Sequence, residues 1–163
     1  EDGHKYELVD GEIVMSPAGG RHESIVVQLA YLFRKALEMD LRGAVFGSSL
    51  GIRLATGNVR SPDLTYICLD KLPDGKVPIG FLEQIPDLVA EVLSPNDNMR
   101  DVAGKIGEYV AAGFPLIWLV NPDSETVTVY RSLTDVRVLS QNDRLTVGAA
   151  LPAFDVAAAK VFR

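Results

Sequence analysis

A chain of 163 residues is long enough for one substantial hydrophobic core and too short for a second, so we expect a single domain over residues 1–163. Hydrophobic residues make up 47% and charged residues 23% of the chain, which excludes a disordered or repetitive protein. The formal net charge of −6 argues against broad, salt-driven affinity for nucleic acid, because such affinity depends on many contacts from Lys and Arg to phosphates. The longest apolar runs, residues 88–93 and 115–120, are too short to cross a bilayer, and no signal-like segment opens the chain. We therefore expect a cytoplasmic protein with no membrane partner.

The first part of the chain predicts a β-hairpin followed by an amphipathic helix. Residues 6–8 and 12–15 have the pattern of short strands, and the Asp10-Gly11 pair between them favours a tight hairpin turn. Residues 16–20 contain Pro and two Gly, which interrupt regular structure. Apolar residues then recur at spacings of one, three and four, which predicts a helix with one buried face. This apolar stripe comprises Ile25, Val26, Leu29, Leu32, Phe33, Ala36 and Leu37.

The middle of the chain predicts three strands and a second helix. Residues 44–54 and 64–69 have strand character and are joined by a turn-rich connection at residues 55–62, so that Asp63 begins the second of these strands. Residues 87–94 are almost continuously apolar, which predicts a central strand covered on both faces. A helix follows, and its apolar side comprises Met99, Val102, Ile106, Tyr109 and Val110.

The last part of the chain continues as β-structure. Residues 116–120 predict another buried strand, residues 126–131 a more exposed one, and residues 136–139 and 144–147 two further strands. Residues 151–154 form a terminal apolar clamp. The order helix, three strands, helix, strand, with β additions at both ends, predicts an α/β fold in which helices flank a mixed sheet. This is an αβββαβ core.

Two carboxylates occupy positions where the strand pattern makes them costly. Glu91 lies inside an apolar strand and shares a face with Val89 and Leu93, while Asp63 lies at the mouth of a strand. A buried carboxylate requires a partner, a proton or a metal. Taken singly, Glu91 is explained by pairing with a cation such as Arg53, and Asp63 by capping a strand end. Taken together, two carboxylates on neighbouring strands can present oxygen ligands to Mg²⁺, which uses few protein carboxylates and keeps several waters.

Lys105 is the third candidate. It lies on the predicted second helix, three residues after Val102 and four before Tyr109, at the edge of the apolar stripe. Its aliphatic stem can therefore lie inward while its amine reaches the sheet. The alternative is a surface ion pair with Asp101 at i, i+4, and the position alone leaves both open.

Five stretches of the chain occur in a distinctive order. They are residues 6–14 (YELVDGEIV), 62–63 (PD), 86–95 (PDLVAEVLSP), 101–109 (DVAGKIGEY) and 118–120 (WLV). In this order they resemble the Uma-two family of restriction-endonuclease-like proteins, and the resemblance spans residues 6–131. That family is placed in the PD-(D/E)XK nuclease superfamily. The resemblance therefore implies an αβββαβ core and a divalent-metal site that hydrolyses phosphodiesters.

The resemblance also implies roles for individual residues. Asp63 and Glu91 match the metal-binding acids, with Mg²⁺ or Mn²⁺ as the cofactor, which would lower the pKa of a bound water. The superfamily usually places a Lys two residues after the second acid, but Leu93 stands there. In sequences like those of the Uma-two family the basic residue comes from the following helix, which corresponds to Lys105. Its role would be to orient water or to stabilise charge on the phosphate.

Two further residues are accessory candidates. Glu7 in the opening hairpin and His22 near the first helix could reach the same mouth of the sheet. The alternative for each is a structural or solvated role.

The resemblance implies a Mg²⁺-dependent endonuclease that acts on DNA. One alternative is a catalytically inactive nuclease-fold module that serves in binding or assembly, which both the acidic charge and Leu93 favour. Another is a hydrolase of RNA or of a different phosphate ester. We also expect a homodimer, because small nucleases of this type often need two subunits to engage two strands. The predicted interface is an exposed C-terminal β segment with its apolar tail.

Overall fold

The computed structural model describes residues 6–15, 19–95 and 97–163. In chain order the helices and strands are β1 (Tyr6–Val9), β2 (Glu12–Met15), α1 (Gly20–Leu37), β3 (Gly43–Gly47), β4 (Ile52–Arg53), β5 (Val59–Arg60), β6 (Leu64–Cys68), β7 (Leu88–Val92), α2 (Met99–Ala111), β8 (Ile117–Asn121), β9 (Thr126–Tyr130), β10 (Val136–Ser140), β11 (Arg144–Thr146) and β12 (Asp155–Ala157). The predicted hairpin is present as β1 and β2, and Asp10 and Gly11 at its turn both have positive φ. Of the predicted break at residues 16–20, residues 16–18 lie outside the described residues, and α1 begins at Gly20.

In the described part of the chain, six strands form the main sheet in the order β10-β9-β8-β7-β6-β3. Neighbouring strands run antiparallel, except that β7 and β8 are parallel and are connected through α2. All five residues of β7 are buried, as the continuous apolar run predicts for a central strand. Two smaller sheets accompany the main one, with strand orders β2-β1-β5-β4 and β11-β12.

The two helices pack in separate hydrophobic clusters. The clusters are separate because successive side chains of the main sheet point to opposite faces. Leu88 and Ala90 of β7 belong to the cluster that contains the buried stripe of α1. Val89 belongs instead to the cluster that contains Ile106 of α2. Because successive side chains in a strand point to opposite faces, Glu91 is directed to the face that α2 covers.

The predicted strand over residues 44–54 is wrong, because this segment divides between two sheets. Its first part is β3 in the main sheet, and its second part is β4 in the sheet that contains β1. The chain turns between them, with the Leu50 N–H bonded to the Gly47 carbonyl, and a Cβ at Gly51 would lie only 2.7 Å from the Phe81 ring. Residues 55–62, predicted as a turn-rich connection, contain the short strand β5. Since β5 pairs with β1 at Val59 and Leu8, this arrangement carries the opening hairpin to the body of the protein.

The apolar stripes of the two helices differ in how well the pattern predicted them. Every residue of the predicted stripe of α1 is buried. In α2, Ile106 and Tyr109 are buried, whereas Met99, the first helical residue, is 59% exposed. Asn98 caps the N-terminus of this helix by accepting a hydrogen bond from the Arg100 N–H, and Gly113 with positive φ follows its end.

The two large apolar side chains of the predicted C-terminal clamp lie in the core. Leu151 and Phe154 are 0% and 1% exposed, and the Phe154 ring centroid lies 4.4 Å from that of Phe33 and 5.6 Å from that of Trp118. The apolar tail is therefore unavailable as the interface of the predicted homodimer, and the homodimer itself stays a prediction. No helix in the ranges described above is both long and apolar enough to span a membrane.

Candidate active site

Asp63 and Glu91 meet at one end of the strand pair β6 and β7. The antiparallel register pairs Leu64 with Ala90, and continuing it by one residue sets Asp63 opposite Glu91. Both side chains are buried, with exposures of 4% and 8%. Asp63 Oδ2 also accepts a hydrogen bond of 2.8 Å from the backbone N–H of Val92, which follows Glu91. The first acid is thus fixed to the strand that carries the second.

The bond between Asp63 and the neighbouring strand has a counterpart at the other end of the same strand pair. Asp87 precedes β7, and its Oδ2 accepts a hydrogen bond of 2.7 Å from the Cys68 N–H at the end of β6. Because these strands are antiparallel, each of the two Pro-Asp dipeptides caps the far end of the other strand. The strand-capping explanation of Asp63 is therefore correct, but it is incomplete. Asp87 pairs with Lys71 at 2.7 Å, whereas Asp63 pairs with His22.

His22 reaches Asp63 from the first turn of α1. Its Nε2 atom lies 3.0 Å from Asp63 Oδ2, and its Nδ1 atom lies 3.4 Å from Glu23 Oε1. The imidazole is buried, so this contact is made away from bulk solvent. The structure thus brings His22, an accessory candidate from the sequence, to the first acid.

Lys105 reaches the second acid from α2. Its Nζ atom lies 2.9 Å from Glu91 Oε1 and 3.0 Å from Glu7 Oε1, so it points inward and not along the helix surface toward Asp101. Although burial lowers the pKa of Lys105, the two carboxylates outweigh burial and raise it above its ordinary value. Lys105 is therefore a cation at neutral pH. Arg53, the partner considered for Glu91, forms its ion pair elsewhere on the surface.

Tyr109 also contacts Glu91, although the sequence pattern places it only in the apolar stripe of α2. Its hydroxyl donates a hydrogen bond of 2.6 Å to Glu91 Oε1. Burial, together with the charge of Glu91, raises the pKa of Tyr109 well above its ordinary value, so the hydroxyl keeps its proton. The available signal was its spacing, because a residue four positions after Lys105 lies on the same face of a helix.

Glu7 links the opening hairpin to this site. Its Oε1 atom accepts a hydrogen bond of 2.9 Å from the Ser61 N–H as well as contacting Lys105, and its Oε2 atom lies 3.3 Å from Arg60 Nη1. Arg60 also binds Glu108. Burial raises the pKa of Glu7, but Lys105, the Ser61 N–H and Arg60 together hold it below its ordinary value. Glu7 is therefore an anion, and it is the second carboxylate that pairs with Lys105.

An open cavity of about 1130 Å³ with an acidic wall is lined by Glu7, His22, Asp63, Glu91 and Lys105. In the described part of the chain, no three His, Cys, Asp or Glu side chains form a ready-made metal cluster. The lining of this cavity nevertheless contains more carboxylates than Lys and Arg side chains: the carboxylates include Asp63, Glu91, Glu7 and Glu108, and the Lys and Arg side chains are Arg60, Arg100 and Lys105. Two adjacent carboxylates with surplus negative charge can attract a divalent cation whose other ligands are waters.

The comparisons with known proteins agree with this architecture. No curated protein matches the chain. A solved structure that resembles it is titled "a putative nuclease belonging to DUF820" from Anabaena variabilis, with a TM-score of 0.84, 22% sequence identity, and coverage of 96% of this chain and 89% of that one. This likeness confirms the predicted nuclease-type α/β fold. The family model Uma2, described as "Putative restriction endonuclease", matches residues 1–159. The chain therefore belongs to the Uma2 family.

Proposed function

We propose that this protein is a divalent-metal-dependent endonuclease that hydrolyses DNA phosphodiester bonds. The observation that carries the proposal is the convergence of Asp63, Glu91 and Lys105, two carboxylates and one cation, at the end of the central strand pair. The description of the Uma2 family model, "Putative restriction endonuclease", supports the reaction class. Residues of these types supply what phosphodiester hydrolysis requires, namely ligands for a metal and a positive charge for the phosphate.

The donor set fits Mg²⁺ or Mn²⁺. Asp63 and Glu91 would hold the ion, since both are hard oxygen donors and Mg²⁺ is commonly bound by one or two carboxylates with water and substrate phosphate. The surplus of carboxylates in the cavity lining favours a doubly charged ion. When bound, the ion supplies an activated water and positive charge beside the scissile phosphate.

The chain's own residues position this chemistry. Lys105, held between Glu91 and Glu7, offers a fixed ammonium to the negative charge that develops on the phosphoryl oxygens. His22, bonded to Asp63, limits the orientations of that carboxylate. Leu93 lines the same cavity but has no charge. A helix-borne Lys105 is thus the group that replaces the strand lysine of the wider superfamily.

The acidic charge of the chain shapes the proposed contact with DNA. With a net charge of −6 and an acidic cavity wall, binding is expected to be local and metal-assisted, with few phosphate contacts from Lys or Arg. Its salt dependence should then be shallow, because that slope follows the number of neutralised phosphates. We include a homodimer in the proposal, because one site per chain meets only one strand of a duplex.

Cleavage of supercoiled plasmid with Mg²⁺ or Mn²⁺ tests the proposal. The wild type is expected to nick the plasmid only with metal, and Asp63→Asn, Glu91→Gln and Lys105→Ala are each expected to lose roughly 100-fold or more in rate. Asp87→Asn and Lys71→Ala are matched controls, because they disrupt a strand-capping Asp and its Lys partner at the other end of the same strands. Both should keep wild-type cleavage.

Two results would contradict the nuclease proposal. Absence of cleavage with either metal would favour the inactive binding or assembly module. Equal cleavage by all variants would show that the activity does not arise from this site. An RNA substrate and a simple phosphate diester, assayed in parallel, decide between DNA and the other phosphate esters.

A further inference from the structure

We infer that Tyr109 is a positioning residue, whose hydroxyl orients the Glu91 carboxylate for metal binding. This inference rests on the proposed function. It starts from one contact: the Tyr109 hydroxyl donates to Glu91 Oε1 at 2.6 Å, and the same oxygen atom lies 2.9 Å from Lys105 Nζ. Two donors from successive turns of α2 therefore converge on one oxygen of the second acid.

The surroundings of Tyr109 do not by themselves require a hydroxyl. The side chain is 0% exposed and lies in an apolar cluster with Ile106 and Val89. Its ring packs against Phe114 with centroids 4.8 Å apart, a contact that a phenylalanine would make equally well. The Tyr109 hydroxyl is therefore explained by its hydrogen bond to Glu91 and not by the packing of the ring.

Fixing the carboxylate of Glu91 has a chemical consequence. The terminal torsion of a glutamate is broad, so its two oxygens are poorly ordered unless hydrogen bonds hold them. A tyrosine donor and a lysine donor on Oε1 restrict the orientation of the Glu91 carboxylate, and the strand register sets Glu91 opposite Asp63. Outer residues that orient metal ligands in this way typically contribute 10- to 100-fold to metal affinity or activity.

Tyr66 offers a control that separates orientation from simple packing. Like Tyr109 it is 0% exposed, and its hydroxyl donates a hydrogen bond of 2.8 Å, but to the Ala150 carbonyl. Tyr66 belongs to the cluster on the α1 side of the sheet. Tyr66→Phe and Tyr109→Phe therefore remove the same group from equally buried rings, and only the second change touches a proposed metal ligand.

The test is calorimetric titration of the DNA-free protein with Mn²⁺, accompanied by cleavage rates over a range of Mn²⁺ concentrations. Tyr109→Phe is expected to bind Mn²⁺ roughly tenfold or more weakly than wild type, and to recover much of its cleavage rate at saturating metal. Tyr66→Phe should bind Mn²⁺ as the wild type does. Unchanged affinity in Tyr109→Phe would overturn the inference and leave the metal-dependent function standing. A wild type that binds no Mn²⁺ would overturn both.

Discussion

Replacing Lys105 with Met is expected to lower the free energy of unfolding by about 3 kcal/mol at neutral pH. The ammonium lies 2.9 Å from Glu91 and 3.0 Å from Glu7, and all three side chains are largely buried. Removing one partner of a buried ion pair typically costs about 3–5 kcal/mol, because the remaining charge loses its compensation. We expect the lower end of that range, since Glu7 keeps its contact with Arg60 and Glu91 keeps that with Tyr109.

Urea denaturation at several pH values measures this effect. Fluorescence of Trp118 reports it, because Trp118 is the one tryptophan of the chain and packs in the cluster on the α1 side of the sheet, away from the substitution. Burial raises the pKa of Glu7, but Lys105 and the other donors lower it below the ordinary 4.5. A carboxylate with a lowered folded-state pKa contributes stability above its unfolded value and loses it as the pH falls through the folded value. The difference between wild type and variant should therefore shrink as the pH falls from 4.5.

Lys71→Met is the matched control for this prediction. Its ammonium pairs with Asp87 at 2.7 Å, but the lysine is 40% exposed, so the expected cost is less than about 1 kcal/mol. If Lys105→Met costs no more than Lys71→Met, Lys105 is not held by two buried carboxylates, and the reasoning fails.

Three other changes probe the core, the thiol and the site. Phe154→Ala should cost about 3–5 kcal/mol in urea denaturation by leaving a cavity beside Trp118, and a cost below about 1 kcal/mol would contradict the buried tail. Burial raises the pKa of the Cys68 thiol, so alkylation of this thiol should be slow in the native protein and fast in urea. Mass spectrometry measures the two rates, and equal rates would contradict a buried thiol. Glu7→Gln should slow plasmid cleavage by roughly 10- to 100-fold by loosening Lys105, and saturating Mn²⁺ should not restore the rate; full recovery at saturating Mn²⁺ would instead mean that Glu7 acts through metal affinity alone.

The sequence by itself determined the helices, the central strand and the two acids of the candidate site. The stripe of α1 and the continuous apolar run of β7 are readable because burial imposes short periods on a single element. Glu91 is readable in the same way, because a carboxylate within an apolar strand contradicts its surroundings, and Asp63 is readable from its place at the mouth of a strand. These signals are local, and each depends on residues a few positions apart.

Only the tertiary structure decided which groups surround those acids. Glu7 accepts a hydrogen bond from Ser61, 54 residues away, and this contact exists because β5 pairs with β1. The division of residues 44–54 between two sheets and the burial of the C-terminal tail likewise depend on how elements dock. Contacts between distant segments form because both segments bury surface against each other. The hydrophobic pattern of one segment does not reveal which other segment it will pack against. The sequence could therefore indicate that Glu91 needed partners and offer Lys105 as one candidate, but only the fold supplied their contact and added Tyr109.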